Sequence, residues 1–440
     1  MNRRTFLAGA TAATSALAGA TVQAVGGSKP IRETPLRAGY FGTHYYDDKE
    51  RQGLADVLDA RQPFRWYGPG KRPPGKAAAF ETELAARMRT HFALAVTSGT
   101  AALATALAAL EVGPGDEVIL PAWTWHSCYS AIVLAGALPI FAEINESFNL
   151  DPDDLEKKIT AQTKVILAVH TLGNACDMHR ITEIARKHRI RVLEDCAQSV
   201  GAHYKGRPVG SLGDIGIYSM QLNKTITAGE GGALVTNDPL LFERAARFHD
   251  LGLLRPLHEQ RAGKSQLGGF AALQFRMSEF TAAVLLAQLR KLDQIVAALR
   301  ANARRVYAGL RDLPGLLLRQ RPDADGELGV AVYLGFRGKV ERDRFVAGMK
   351  EENVPAQPPS GSVILPTQQY VEQKRTIHPA WPSFQSARGK SVRYGAECCP
   401  RTIDILDRFA GVPLDPKYTE NDTADIVAAI RKVHPGARGG

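Results

Sequence analysis

Between residues 80 and 250 the apolar positions follow two alternating rhythms. Short, nearly continuous apolar runs at 93–96, 117–120, 164–169, 191–194, 215–219 and 233–236 predict strands buried on both faces. Between them, residues 80–91, 100–110, 181–188 and 240–248 carry helical patterning, and Gly113-Pro114-Gly115-Asp116 marks a turn. This alternation predicts an α/β domain with a mainly parallel central sheet flanked by helices. Phe280, Val284, Leu285, Leu289, Leu292 and Ile295 then recur at helical spacing, which predicts a long amphipathic helix running towards Leu310. A strand at 329–336 and helices at 341–351 and 423–433 predict a smaller C-terminal α+β domain, with Pro- and Gln-rich loops over 355–395. Upstream, residues 25–80 are broken by Pro and Gly, with one helix at 50–60 and an aromatic loop at 64–70. The chain thus divides into a leader (1–24), an N-terminal arm and loop (25–80), a large domain (81–295) and a small domain (296–440).

Composition adds exclusions. With 440 residues, 45% hydrophobic and 23% charged, the chain can bury a large core without a metal or disulfide staple. The five cysteines, Cys128, Cys176, Cys196, Cys398 and Cys399, form no CxxC pair and no disulfide framework. The net charge of +10 suits an anionic partner, but no basic run is interleaved with aromatics, so nothing points to nucleic acid. The first residues resemble a twin-arginine export signal: Arg3-Arg4, then Phe6-Leu7, a weakly apolar stretch, and Val22-Gln23-Ala24 as an A-x-A-like cleavage site. That stretch is too short and too polar for a membrane span. Losing Arg3 and Arg4 with it would lower the charge by two, to +8. Periplasmic location follows if the segment is an export signal; a cytoplasmic leader is the alternative.

Four stretches carry candidate chemistry. Thr97-Ser98-Gly99-Thr100-Ala101 sits between a strand and a helix, where first-turn amides make an anion seat; an ordinary strand-to-helix turn has the same pattern. Asp195 follows an apolar strand, where open α/β sheets place ligand groups; helix capping is the other role for Asp there. Lys224 lies between two strands before Gly229-Glu230-Gly231-Gly232, and a desolvated lysine can attack a carbonyl, whereas a solvated one is inert. Trp123 and Trp125 at a strand end serve either the core or a stacking platform. A phosphate seat, an aromatic lid, a carboxylate and a Schiff-base lysine are together what pyridoxal phosphate requires.

With these parts in order, the chain resembles the DegT/DnrJ/StrS family of fold-type I pyridoxal-phosphate aminotransferases. The resemblance rests on Ser98-Gly99-Thr100-Ala101-Ala102-Leu103, Gly113-Pro114-Gly115-Asp116-Glu117-Val118, Glu194-Asp195-Cys196-Ala197-Gln198, Lys224 with Gly229-Glu230-Gly231-Gly232, and Arg276-Met277-Ser278-Glu279-Phe280. It implies that Lys224 holds the cofactor as a Schiff base and moves the substrate's proton. It further implies that Asp195 pairs with the pyridine nitrogen, Trp125 stacks on the ring, and Gln198 contacts its other side or its phenolic oxygen. Phosphate would lie on the amides of Gly99, Thr100 and Ala101 and on the Ser219 hydroxyl. His170 either faces the site or serves the core. A homodimer with sites at the interface is implied, in which the residue at Gln274 reaches the partner's phosphate. The family usually has Asn there, in Gly-x-Asn-Tyr-Arg, against Leu273-Gln274-Phe275-Arg276 here. Met220 stands for the commoner Phe, and Ser-Met-Gln with Met-Ser-Glu-Phe looks closest to members acting on cyclitol or amino-aromatic precursors.

The function implied is transfer of an amino group from glutamate or glutamine to a keto-sugar or keto-cyclitol, with Arg65, Lys71 and Arg72 as candidate contacts to an anionic substrate. Two alternatives remain. One is a pyridoxal-phosphate sugar dehydratase, although such relatives usually carry His in place of the lysine. The other is a non-catalytic exported binding protein that retains the fold.

Overall fold

The computed structural model describes residues 29–69, 75–265 and 267–437; the leader at 1–24 and the loop cations Lys71 and Arg72 lie outside them. A seven-stranded sheet forms from β1 (Phe92–Val96), β2 (Glu117–Pro121), β3 (Leu138–Ala142), β4 (Thr163–Val169), β5 (Arg191–Asp195), β6 (Ile215–Ser219) and β7 (Gly232–Thr236). Their spatial order is β1-β7-β6-β5-β4-β2-β3. Only β7 runs against its neighbours, so the sheet is mainly parallel. Parallel strands need crossovers, and the helices that supply them cover both faces, which is why these strands are apolar throughout rather than alternating.

A three-stranded antiparallel sheet, Leu317–Leu318, Ala331–Gly335 and Phe409–Pro413, forms the centre of the smaller unit. The helices Lys339–Glu351 and Glu420–Ala437 cover it, burying Val332, Leu334, Phe345, Met349, Ile426 and Ile430 together. The helix Glu279–Leu310 passes residue 295 unbroken. Its first part packs into the large core through Leu285, Leu289 and Leu292, and its end into the small one through Ala303, Val306 and Leu310. The N-terminal arm is fastened to the small unit: Leu36 N–H donates to the Asn353 carbonyl at 2.9 Å and Arg32 pairs with Asp422 and Asp425.

The predicted strands form within a residue or two. The helix expected at 80–91 instead occupies Lys76–Met88, because the Glu279 carboxylate accepts from the Lys76 and Ala77 amides at 2.6 and 3.2 Å and caps that terminus from another helix. The pattern gave no sign of the helix His126–Leu134, the strand β3, or the helix Pro400–Arg408 that feeds the last strand.

Candidate active site

The carboxyl ends of β1, β2, β5 and β6 converge on one edge of the sheet, the edge where open α/β folds bind ligands. There a cleft of about 720 Å³ opens between the large sheet and the small unit. Ser98, Gly99, Thr100, Trp125, Asp195, Gln198, Ser219 and Lys224 line its sheet side; Tyr333, Gln357, Ser360 and Gly361 line the opposite side, and Gly39 and Phe41 of the arm close it.

The anion seat comes from the helix Gly99–Ala109. Its first-turn amides have no partner within the helix, and of the three expected residues Gly99 and Thr100 line the cleft. Gly99 is needed for packing: a Cβ there would stand 2.7 Å from Ser219 Cβ, so the helix could not approach the serine. Gly232 acts likewise from β7, since its Cβ would stand 2.2 Å from the Ser98 carbonyl oxygen. The third expected amide is engaged elsewhere: Ala101 is buried outside the cleft lining, and its N–H donates to Ser98 Oγ at 3.1 Å, the cap that starts this helix. That leaves Gly99, Thr100 and the Ser219 hydroxyl lining the cleft as candidates for an anion.

Asp195 ends β5 with a buried carboxylate. Oδ1 accepts from the Ala197 amide at 2.9 Å and Oδ2 from the Cys128 thiol at 3.2 Å. Burial raises its pKa despite those donors and the nearby Lys224 cation. Lys224 sits in the turn between β6 and β7, its N–H bound to the Gln221 carbonyl at 2.9 Å. Burial pushes its amine below the ordinary lysine value, with the Asp195 carboxylate opposing. A lysine so placed reaches its neutral, nucleophilic form more readily.

The two tryptophans divide. Trp123 is buried against Phe148, whereas Trp125 is 51% exposed at the cleft wall. The Gln198 side chain spans two segments, Oε1 accepting from the Leu172 amide at 3.1 Å and Nε2 donating to Ser362 Oγ at 2.9 Å.

Two expected contacts lie elsewhere, and a third, Gln274, was expected at a partner's site rather than at this chain's. His170 is fully buried: Nδ1 accepts from the Cys176 amide at 3.0 Å, so Nε2 carries the proton directed at Glu194 Oε2, 2.9 Å away. It serves the core, where Glu194 also holds the Gly210, Leu212 and Gly213 amides. Arg65 is buried and bonded to Glu81 at 2.7 Å, so it meets no substrate. Gln274 is exposed beside Asp250 and does not line this chain's cleft. Cys128 was missed by sequence reasoning; the available signal was its place four residues after Thr124, whose hydroxyl lies 3.3 Å from the thiol.

These residues fit pyridoxal phosphate: a half-buried lysine and a buried carboxylate share one cleft, and Gly99 lets the start of its helix pack close against Ser219. Lys224 would hold the cofactor, Asp195 its ring nitrogen, Trp125 one face, Gln198 the other face or the phenolic oxygen, and Gly99, Thr100 and Ser219 its phosphate. When bound, the cofactor supplies an electron sink for a carbanion.

Comparison with known proteins agrees. Residues 70–431 match the model of the DegT/DnrJ/EryC1/StrS aminotransferase family. The GDP-perosamine synthase of Vibrio cholerae is 32% identical over 366 residues, covering 79% of this chain and 95% of that protein. An L-glutamine:2-deoxy-scyllo-inosose aminotransferase of Streptoalloteichus tenebrarius is 38% identical over 397 residues, covering 87% and 92%. Among solved structures, 3-amino-5-hydroxybenzoic acid synthase superposes with a TM-score of 0.71 at 28% identity, covering 90% of this chain and 99% of that one. The chain belongs to the DegT/DnrJ/EryC1/StrS aminotransferase family and is a fold-type I, pyridoxal-phosphate-dependent transaminase.

Proposed function

We propose that this transaminase takes an amino group from glutamate or glutamine and delivers it to a keto-sugar or keto-cyclitol. The placement of Lys224 and Asp195 in one cleft with a phosphate seat carries the reading. Relatives named for a perosamine and for an inosose support the acceptor class, and the inosose relative's name supports glutamine as donor. Lys224 Nζ removes the proton from the donor's α-carbon and later returns one to the acceptor's carbon. Asp195, fixed by the Ala197 amide and the Cys128 thiol, keeps a negative charge at the ring nitrogen. The side chain of Trp125 excludes water from one face. Lys224 in place of a histidine speaks against the dehydratase, and an intact lysine, carboxylate and seat speak against a binding protein.

The test is conversion of the bound cofactor to its amine form by glutamate or glutamine, followed by its consumption by keto-sugars and keto-cyclitols. Lys224→Ala is expected to lose the visible cofactor band and turnover; normal turnover by that variant would defeat the reading.

The homodimer is part of the same proposal. Gln274 and Leu273 are exposed beside exposed Leu251 and Leu253, a face suited to a second copy, from which Gln274 would reach the partner's phosphate seat. A monomeric mass by light scattering would exclude it. Export through the twin-arginine leader is proposed on Arg3-Arg4 and Val22-Gln23-Ala24. Folding before translocation suits five cysteines without a disulfide framework. A mature protein whose first residue is Met1 would exclude cleavage.

A further inference from the structure

A second cavity, of about 650 Å³, lies away from the catalytic cleft, between the helix Lys76–Met88, the long helix Glu279–Leu310 and the segment 201–208. None of its lining residues lines the catalytic cleft. Its floor is apolar, with Met88, Leu289, Leu292 and Val296. Its rim is not. Arg290, Asp293, Ala297, Arg300 and Arg304 follow one another at steps of three and four residues, so the long helix turns a single face to the cavity. Arg87 and Arg89 face them from the end of the shorter helix.

The carboxylates on this rim are already engaged. Glu83 is held by Arg290 through both oxygens, and Asp293 by Arg87. Arg89, Arg300 and Arg304 have no carboxylate ion-pair partner among the described residues. Arg89 donates to the Gly206 carbonyl at 3.2 Å. Arg300 donates to the carbonyls of Glu327 and Gly326, each at 2.9 Å, and these carry no net charge. Arg300 and Arg304 are also an i, i+4 pair of like charge, an arrangement that destabilises a helix. Burial and the Arg304 charge together hold the Arg300 guanidinium below its ordinary value, against the pull of Asp323 and Asp325. Several guanidinium groups around a cavity of this size, with the local carboxylates occupied, match an oxyanion with several acceptor oxygens.

We propose that this groove is a binding site for a small molecule bearing a phosphate or diphosphate group, held by Arg300 and Arg304 of the long helix with Arg89 opposite. Arg304 and Arg89 donate to the oxyanion from exposed guanidinium groups, Arg300, whose Nε and Nη2 already donate to backbone carbonyls, adds its positive charge, and the apolar floor accommodates the body of the ligand.

The probe is inorganic pyrophosphate, titrated calorimetrically into the cofactor-loaded full-length protein in phosphate-free, low-salt buffer. Loading the cofactor fills the phosphate seat of the catalytic cleft. One saturable site per chain is expected. It should weaken roughly tenfold to a hundredfold in Arg304→Gln, and again in Arg89→Gln, with transaminase turnover unchanged in both. Both side chains are exposed, so the variants should fold, which circular dichroism checks. Absence of saturable binding overturns the proposal, as does equal affinity in wild type and both variants. Binding seen only with the cofactor-free protein places pyrophosphate in the catalytic seat and also overturns it.

Discussion

The acid strength of Asp195 depends on a thiol that touches its carboxylate from outside the cleft lining. Burial raises its pKa, while the Ala197 amide and the Cys128 thiol lower it. Cys128 itself stays a thiol, since burial and the Asp195 charge push its pKa well above the usual range. Removing the thiol therefore raises the Asp195 pKa further, and the carboxylate needed at the ring nitrogen is lost at a higher pH. Cys128→Ala is expected to move the acidic limb of the kcat/KM profile upwards, with Cys128→Ser restoring part of the shift. An unmoved limb would show that the thiol only fills space. At the phosphate seat, Gly99→Ala drives a methyl group against Ser219. The loss of about one charge-assisted hydrogen bond, about 1.5–3 kcal/mol, should weaken cofactor retention roughly tenfold to a hundredfold, read by equilibrium dialysis of the cofactor.

Among the elements, the helix Lys76–Met88 shows how much support is non-local. Its Glu81 accepts from Arg65 at 2.7 Å, from Arg261 at 2.9 Å and from the Ala95 amide of β1 at 2.9 Å. Burial alone would raise this carboxyl, but Arg65, His258 and Arg261 hold it well below the carboxylate range. Glu81→Gln leaves Arg65 buried without its counter-charge, so about 3–5 kcal/mol of stability should be lost in urea unfolding at neutral pH. Because the folded pKa is depressed, ionised Glu81 stabilises above its unfolded value near 4.5, and that contribution falls as pH drops below it. The gap between wild type and variant should narrow accordingly. The sequence announced the strands because both of their faces are buried and read as plain apolar runs. It announced Asp195, Lys224 and Ser98-Gly99-Thr100 because strand ends and glycine turns have local signatures. It could not show that Ala101 gives its amide to Ser98, that Arg65 faces Glu81, or that Glu279 caps another helix. Each of those depends on partners that only the folded chain brings together.

At the scale of the molecule, the cleft is walled by both the large sheet and the small unit, and an aromatic cluster packs where they meet. Phe148 is completely buried, edge-on to Trp123 beyond β2 at 5.8 Å, and to Tyr333 and Phe409 of the small sheet at 5.1 Å each. Its backbone is left-handed, with φ of 66°, a conformation a bulky residue keeps only when its surroundings fix it. Nothing in the local sequence around Phe148 signals this, since its ring partners come from the segment after β2 and from the small sheet. Tyr333 packs against Phe148 and also lines the cleft. Truncating Phe148 to Ala should therefore act twice. The cavity left behind should cost about 3–5 kcal/mol of stability, read as a lower urea midpoint. The wall carrying Tyr333 should also lose its backing, so KM for the amino acceptor should rise more than kcat falls. Phe148→Leu keeps most of the volume and should cost under about 1.5 kcal/mol, with KM near wild type. If Phe148→Ala lowered stability but left KM unchanged, the cluster would be joining the cores without shaping the cleft.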